Sequence, residues 1–260
     1  MYDLPWLGDA HDALWSALVT AAAREGVVLP ARRERGVEPQ ALATRPELVL
    51  TQICGLPYAK MPPAAVRLVA TPRYRAPGCA GAAYRSVLLG SAGRGAGRPG
   101  NLAAALAGPV AINEASSQSG HLALRRAMAM VPGCRPERVL TTGSHHASVC
   151  AVAAGRASLA AVDCVTWALI GDARPALKGA VSVIGVTPPA PGLPFVTRAS
   201  MSWGQIAALN RALGGVMRDP MLASLRRVLR LDGVEVLPDA AYRRLLRLEA
   251  EAVPPLLVQT

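Results

Sequence analysis

The sequence contains few aromatic residues, very little lysine and no long apolar run. Only 4% of its 260 residues are aromatic, one residue is phenylalanine, and Lys60 and Lys178 are the only lysines. No apolar run reaches the roughly 18 residues that a membrane-spanning helix needs, so we expect no membrane insertion. The hydrophobic fraction of 52% is too high for a disordered chain. This length and composition predict two domains, or one two-lobed unit with a sizeable core.

Several catalytic and metal-binding motifs are also absent. The sequence has no GxSxG elbow, no HExxH and no CxxC, and its glycine-rich stretch at 91–100 lacks the GK[ST] of a P-loop. That stretch is therefore interpreted as a linker. Ser144, His145 and Asp163 leave a hydrolase open as an alternative, but neighbouring residues seldom aim at each other. We expect no catalytic residue and no cofactor.

The five cysteines are an odd number without regular spacing. We expect most of them to be small buried side chains and expect no disulfide framework, although a single bridge is left open. Together with histidine and aspartate they form a loose metal-ligand set, but it matches no standard zinc spacing. Only His146 and Cys150 would share a helical face, so we expect no metal. The set comprises His145, His146, Cys150, Asp163 and Cys164.

The net charge of +11 comes almost entirely from arginine. Its densest stretch, 218–247, predicts an amphipathic helix with a solvated face, although a polyanion-binding face is an alternative. Because the arginines are scattered, we expect no nucleic-acid partner. The first residues, MYDLPWLGDAHDALW, lack the basic start and apolar core of a signal peptide. They predict a cytoplasmic location if Met1 is the true start.

The second part of the chain alternates between strand and helix patterns. This rhythm predicts an α/β fold with largely parallel sheets, followed by terminal helices at 202–214, 219–230 and 239–251. Before it, 48–54 reads as a buried strand that ends in a turn. The predicted strands of the alternating part are 110–114, 138–143 and 181–187, together with a strand-like run at 159–167 that continues into a helix.

Two small polar turns follow the strands of this region. Ser116–Gly120 lies before a helix, where free backbone N–H groups and a partial positive charge suit an anion. Plain capping by serine is the alternative. The turn at 141–148 repeats the arrangement, with Ser144 as a cap and His145 aimed into the same crevice. Asp163 is a charged residue in an apolar run, so it either faces that crevice or is paired.

Four segments in this order resemble the phosphate/phosphite/phosphonate solute-binding proteins of ABC transporters, and the resemblance covers nearly the whole chain. The segments are LTQICGLPY, VAINEASSQSGHLAL, TTGSHHASVCAVAAGRASLAAVDCVTW and VIGVTPPAPGLP. The resemblance implies a class II periplasmic-binding-protein fold whose two lobes close on a small oxyanion. It also implies a periplasmic or membrane-associated location and an ABC-transporter permease as partner, with no enzymatic activity.

The resemblance also assigns lobes and ligand-binding residues. Lobe 1 would comprise 1–95 and 196–260, lobe 2 would be 108–190, and 96–107 and 191–195 would connect them. The oxyanion would be held by the turn, covered by an aromatic residue from lobe 1, and supported by a histidine and an aspartate. In this sequence these residues are Tyr58, Ser117, Gln118, Ser119, Gly120, His145 and Asp163.

This sequence departs from the family pattern at several positions. Gln118 replaces the central hydroxyl residue of the turn. Val165 and Leu193 stand where aminoethylphosphonate binders hold the ammonium with acidic residues, so the resemblance argues against that ligand. Met1–Asp3 stands where relatives end their first strand. The alternative function is a cytoplasmic ligand sensor or an enzyme on the same fold, because the fold alone does not determine function.

Overall fold

A computed structural model describes residues 2–91, 101–253 and 256 of this chain. The strands, numbered in chain order, are β1 Thr51–Gln52, β2 Val66–Tyr74, β3 Ala83–Tyr84, β4 Ser86–Ser91, β5 Val110–Ile112, β6 Val139–Thr141, β7 Leu159–Asp163, β8 Val181–Val186, β9 Ala190–Pro191, β10 Phe195–Arg198 and β11 Leu231–Glu235. The α-helices are α1 Gly8–Arg24, α2 Pro39–Ala43, α3 Gly55–Lys60, α4 Leu102–Ala107, α5 Ala123–Ala129, α6 His145–Ala153, α7 Cys164–Ala173, α8 Pro175–Gly179, α9 Trp203–Arg218, α10 Ala223–Val228 and α11 Asp239–Ala250.

The chain forms two compact units, each assembled from separate stretches of sequence. Unit 1 comprises Met1–Arg75, Ala80–Ala83 and Pro191–Arg243. Unit 2 comprises Ala76–Cys79, Tyr84–Ala190 and Arg244–Thr260.

Unit 1 is built on a four-stranded sheet in the order β1-β10-β2-β11, with antiparallel neighbours. Helices α1 and α9 pack against each other, and α9 packs against β2. Their contact residues include Leu18 and Ala22 of α1 and Leu209 and Leu213 of α9, all buried. A spacing of four residues places each pair on one helix face, which is why these helices bury a single stripe.

Unit 2 is built on a five-stranded sheet in the order β6-β5-β7-β4-β8. β5 pairs in parallel with β6 and with β7, whereas β4 runs antiparallel to β7 and β8. Every residue of β5 and β7 is buried, which explains their nearly unbroken apolar sequence. The carboxyl ends of β5, β6 and β7 therefore meet at one edge of this sheet.

Several predictions of local structure need correction. The sheets are not largely parallel, because all registered pairs other than β5–β6 and β5–β7 are antiparallel. The predicted strand at 48–54 is reduced to β1, and the predicted helix at 219–230 begins with a 3₁₀ turn at Pro220–Leu222. The arginine-rich stretch 218–247 is not one helix, since β11 interrupts it. Alternation of apolar residues does not reveal strand order, so sequence reasoning missed the antiparallel pairing.

The two units divide the chain at different residues from the predicted lobes. β4 and the end of α11 lie in unit 2, although the prediction placed them in lobe 1. β4 pairs with β7 and β8, which explains its membership of unit 2. The part of the predicted 96–107 connection that the structure describes includes helix α4, within unit 2. Residues 92–100, and with them most of the predicted linker, lie outside the described residues. The predicted lobe boundaries stay a prediction.

Among the described residues, no helix has both the length and the apolar character to cross a membrane.

Candidate functional site

The turn after β5 folds tightly because a serine caps it and a glycine fits where a side chain would not. Ser117 is the N-cap of a short π-helical turn, Gln118–Leu122, and its Oγ accepts a hydrogen bond from the Gly120 N–H at 3.0 Å. A Cβ atom at Gly120 would lie 1.8 Å from Oδ1 of Asn113, the residue after β5. The turn is therefore a buried and closely packed structure as well as a cap.

Ser119 of this turn contacts His145, the first residue of α6. The Ser119 Oγ and the His145 Nε2 share a hydrogen bond at 2.7 Å. The two residues meet because one follows β5 and the other follows β6, and these strands are parallel neighbours. Ser144 caps α6 as predicted, since its Oγ accepts from the Ala147 N–H at 3.1 Å. A hydroxyl and an imidazole are thus held side by side at the edge of the sheet.

His145 is held in its neutral form by its surroundings. Burial lowers the pKa of His145 from its ordinary value of 6.5 to about 4. Its Nδ1 atom is inaccessible to solvent and has no hydrogen-bond partner among the described residues. A buried polar atom in this state is costly unless something binds it. The imidazole therefore offers one ring nitrogen to Ser119 and leaves the other for a further partner.

Acid should destabilise the protein partly through this histidine. The unfolded imidazole binds a proton near pH 6.5, whereas the folded one stays neutral down to about pH 4. The unfolded state therefore binds more protons in this window, and stability falls as the pH drops through it. His145→Gln should flatten the loss of urea-unfolding free energy between pH 7 and pH 5.

His11 provides the comparison for this measurement. Burial also lowers the pKa of His11, in unit 1, so His11→Gln should remove a separate part of the same pH dependence. The two contributions should add in the double variant, since the residues share no partner. A His145→Gln variant with the full wild-type pH dependence would contradict the assignment of a neutral imidazole.

Asp163 ends β7 and caps the helix that follows. Its Oδ1 accepts hydrogen bonds from the N–H groups of Val165 at 2.7 Å and Thr166 at 3.0 Å. The side chain is buried, with 1% of its surface exposed. A charged residue appears in this apolar run because its carboxylate occupies the positive end of α7. Of the two interpretations of Asp163, pairing within the fold is the one that the described contacts show.

Removal of the Asp163 cap should lower stability markedly. Asp163→Ala leaves two backbone donors buried without this acceptor, so we expect the free energy of unfolding to fall by about 1–3 kcal/mol. Asp163→Asn keeps an acceptor oxygen and should recover part of the loss. Urea unfolding followed by circular dichroism measures both variants. An unchanged midpoint for Asp163→Ala would show that the cap contributes nothing.

Tyr58 lies in unit 1, on α3, and its hydroxyl group already has a partner. It donates a hydrogen bond to Oδ1 of Asp239 at 2.7 Å, and its ring lies edge-on to Tyr242 with the centroids 5.0 Å apart. Burial, with the nearby Asp239 carboxylate, raises the pKa of Tyr58 above its ordinary value. The described contacts therefore place Tyr58 in a packed aromatic cluster of unit 1. Its part in ligand binding stays a prediction.

A small cavity of unit 2 is lined by the turn and by two arginines. Its volume is about 30 Å³, enough for about two water molecules. Gln118 and Ser119 line it, as do Arg85 and Arg126. Arg85 donates to the Thr187 carbonyl at 2.7 Å. Arg126 lies on α5, seven residues after Ser119. It makes no hydrogen bond or ion pair in the described part of the chain. Two arginines and two residues of the turn thus line this cavity, and most of the other lining residues are apolar.

The family model described as "ABC transporter, phosphonate, periplasmic substrate-binding protein" matches residues 30–242. The chain belongs to this phosphonate-binding family. The family consists of periplasmic substrate-binding proteins that serve ABC transporters, so membership implies a small anionic ligand and an ABC transporter as partner. The chain is thus a solute-binding protein of a transport family, as the ordered motifs predicted. No curated protein sequence matches the chain.

Several solved structures share the fold of this chain. A binding protein component of an ABC phosphonate transporter from Pseudomonas aeruginosa is 17% identical, with a TM-score of 0.71 over 92% of this chain and 80% of that one. PhnD1 from Prochlorococcus marinus in complex with methylphosphonate is 13% identical, with a TM-score of 0.71 over 94% and 93%. XAC2383 from Xanthomonas citri bound to chloride ion is 16% identical, with a TM-score of 0.66 over 94% and 92%. The predicted class II periplasmic-binding-protein fold is confirmed.

The structure brings some of the predicted ligand-binding residues of this family member together and keeps others apart. Ser117, Gln118, Ser119 and Gly120 form one turn, and His145 contacts it. The hydrolase grouping of Ser144, His145 and Asp163 is not formed by the described contacts, since Ser144 and Asp163 each cap a helix. No group of three or more metal-ligating side chains is found among the described residues.

Sequence reasoning overlooked Asn113 and Arg126. Asn113 directly follows β5, and its Oδ1 is buried without a hydrogen-bond partner in the described residues. The sequence could have indicated Asn113, because polar residues directly after parallel strands often lie at a ligand site. The sequence offered little indication of a role for Arg126, because an arginine on a predicted helix usually faces solvent.

A cavity of greater volume lies in unit 1. It has a volume of about 320 Å³ and is lined largely by apolar side chains such as Trp15 and Phe195. Arg33 and Arg45 at this cavity are already paired with carboxylates. None of the predicted ligand-binding residues lines it.

Proposed function

We propose that this chain captures a small phosphorus oxyanion at the Ser117–Gly120 turn of unit 2 and delivers it to an ABC transporter. The observation that carries the proposal is the Ser119–His145 hydrogen bond at 2.7 Å, which brings a hydroxyl group and an imidazole together from separate strand ends. Open α/β sheets bind ligands at the carboxyl ends of their strands. The positively charged cavity beside Gln118 and Ser119 supports the same position.

The donors for the oxyanion come mainly from side chains. The Ser119–His145 pair supplies one free neutral donor, because one of its two protons lies in the hydrogen bond between them. The Gln118 amide is a further neutral donor, and Arg126 supplies a charge. The Gly120 N–H is already bonded to Ser117, so Gly120 contributes close packing against Asn113 instead of a free donor. Asp163 supports the site by holding the start of α7. Tyr58 would contribute from unit 1, as the family resemblance implies.

A phosphonate without an ammonium group is the ligand class that this chemistry favours. Val165 and Leu193 are buried apolar residues, so neither supplies the acceptor that an ammonium group requires. Methylphosphonate, the compound in the PhnD1 structure, carries no ammonium group. Phosphite and phosphate present the same type of oxygen atoms to the donors. Aminoethylphosphonate should bind much more weakly than methylphosphonate.

We propose a non-enzymatic role, although Ser119 and His145 form the pair that a serine nucleophile and its base would form. A catalytic histidine is oriented by a third group on its other nitrogen. The His145 Nδ1 has no such partner among the described residues. An imidazole with a pKa of about 4 is also a weak base at neutral pH. The pair therefore suits binding better than proton abstraction.

The proposed function also specifies where the protein works and which partner it serves. We propose that the protein works in the periplasm beside an ABC-transporter permease, as its family does. A cytoplasmic sensor is the alternative, and the native amino terminus of the protein purified from its own cell fraction distinguishes them. The positive net charge should assist anion capture only modestly, because salt screens it.

Calorimetric titration with a panel of anions tests the proposed function. The panel comprises methylphosphonate, phosphite, phosphate, sulfate and aminoethylphosphonate. We expect binding of at least one of the first three, and Arg126→Gln should weaken it by about tenfold, the effect of one charged hydrogen bond. Arg138→Gln, an exposed arginine of the same unit, is the matched control. Binding of no phosphorus oxyanion would overturn the proposal, and hydrolysis of a phosphonate ester would favour the enzyme.

A further inference from the structure

Two cysteines that are 85 positions apart in the sequence lie together in unit 2. The Sγ atoms of Cys79 and Cys164 are 3.6 Å apart. Cys79 closes a turn by donating its N–H to the Ala76 carbonyl at 2.9 Å. Cys164, the first residue of α7, donates its N–H to the Arg85 carbonyl at 3.0 Å. Both backbones are therefore fixed by other contacts, and the proximity of the sulfur atoms does not depend on side-chain orientation alone.

Gly78 permits this close approach. Its φ of +101° lies in the region that residues with side chains seldom adopt. A Cβ atom at this position would also lie 3.2 Å from both Cβ and Sγ of Cys164. A glycine here serves both the turn and the contact between the two cysteines.

The two thiols differ in accessibility and acidity. Cys79 is partly exposed, and its hydrogen bond with Cys164 lowers the pKa of the Cys79 thiol. Cys164 is buried, and the same hydrogen bond, burial and the neighbouring Asp163 raise the pKa of its thiol. Thiolates are the attacking species in disulfide exchange. Cys79 is thus the sulfur that an outside reagent meets first.

We propose that Cys79 and Cys164 form a reversible disulfide that fastens the Ala76–Cys79 turn to the start of α7. Bond formation requires the sulfur atoms to approach by about 1.5 Å, to the usual length of about 2.05 Å. The periplasm of the chain's family is an oxidising compartment in which such bonds persist. The proposal does not depend on which anion the protein binds.

The reaction is an exchange with a small-molecule disulfide such as oxidised glutathione. The Cys79 thiolate attacks one sulfur of that disulfide, and one glutathione thiolate leaves. The Cys164 sulfur then loses its proton and displaces the second glutathione from Cys79. Two protein thiols are oxidised, and one glutathione disulfide is reduced to two glutathione thiols.

Oxidation should stabilise the protein. The bond closes a loop of more than 80 residues, and loops of this size lose considerable freedom in the unfolded chain. We expect the melting temperature of the oxidised protein to exceed that of the reduced protein by about 5–10 °C.

The test is a thiol count in glutathione buffers of increasing oxidised fraction. After acid quenching, unfolding and alkylation, mass spectrometry should show a change from five free thiols to three. Digestion without reductant should give one linked pair of peptides, containing Cys79 and Cys164. Cys79→Ser should retain all of its four thiols under the same conditions.

Cys134→Ser and Cys150→Ser are the matched controls, because each lies in the same unit. Both should still lose two thiols on oxidation. Cys79→Ser should melt at the same temperature with and without oxidant, which separates the bond from any general effect of oxidation. Five free thiols in fully oxidised glutathione, or a bond between other cysteines, would overturn the proposal.

Discussion

Replacement of Ser117 and Ser119 together by alanine is expected to weaken oxyanion binding by more than tenfold. Each hydrogen bond to a charged group is worth about 1.5–3 kcal/mol, and a factor of ten corresponds to about 1.4 kcal/mol. The structure separates the two contributions. Ser119→Ala removes the hydroxyl group that contacts His145, whereas Ser117→Ala removes the acceptor of the Gly120 N–H.

The two single variants should therefore differ in whether they lose stability as well as affinity. Ser119→Ala should lose affinity while keeping most of its stability. Ser117→Ala should also lose about 0.5–2 kcal/mol of unfolding free energy, the usual cost of a lost cap. Titration calorimetry and urea unfolding measure the two effects. Ser182→Ala, on β8 of the same unit, is the control. Unchanged affinity in the double variant would remove this turn from the site.

Gly120→Ala should abolish detectable binding and destabilise unit 2. The new methyl group would lie 1.8 Å from the Asn113 Oδ1, a distance that no packed structure tolerates. Asn113 is held by its own backbone, since its carbonyl accepts from the Gly143 N–H at 2.9 Å. The turn must then move, and Ser119 loses its position beside His145. We expect a loss of about 1–3 kcal/mol in stability and at least a hundredfold loss in affinity.

Gly179→Ala is the matched substitution for this prediction. It lies in the same unit, at the end of α8, and a Cβ atom there would meet nothing within 4 Å. Its affinity should equal that of the wild type. The double variant Gly120→Ala/Asn113→Ala removes the clash and should recover part of the stability. A Gly120→Ala protein with wild-type affinity would show that the close packing is irrelevant to binding.

Local signals were sufficient for much of the fold and for part of the site. Ser144 was predicted to cap a helix and does so, because a cap depends on residues three positions apart. The strand predicted at 181–187 from β-branched and apolar residues within seven positions is observed as β8, Val181–Val186. The order of four short motifs indicated the family that the family model confirms.

Pairs that lie far apart in the sequence needed the tertiary structure. Ser119 and His145 meet because β5 and β6 are parallel neighbours, and Cys79 meets Cys164 across 85 positions. The partner of His145 was therefore Ser119, where sequence reasoning had considered Ser144 and Asp163.

Local composition determined the capped turns, the buried strands and the family of this protein, since each of these depends on residues close together in the chain. Strand order is different, because many orders bury the same apolar residues equally well. The position of the antiparallel strand β4 between β7 and β8 is therefore visible only in the tertiary structure. Only the packed sheet therefore decided which polar side chains share an edge, which thiols approach each other and which arginine lines the cavity.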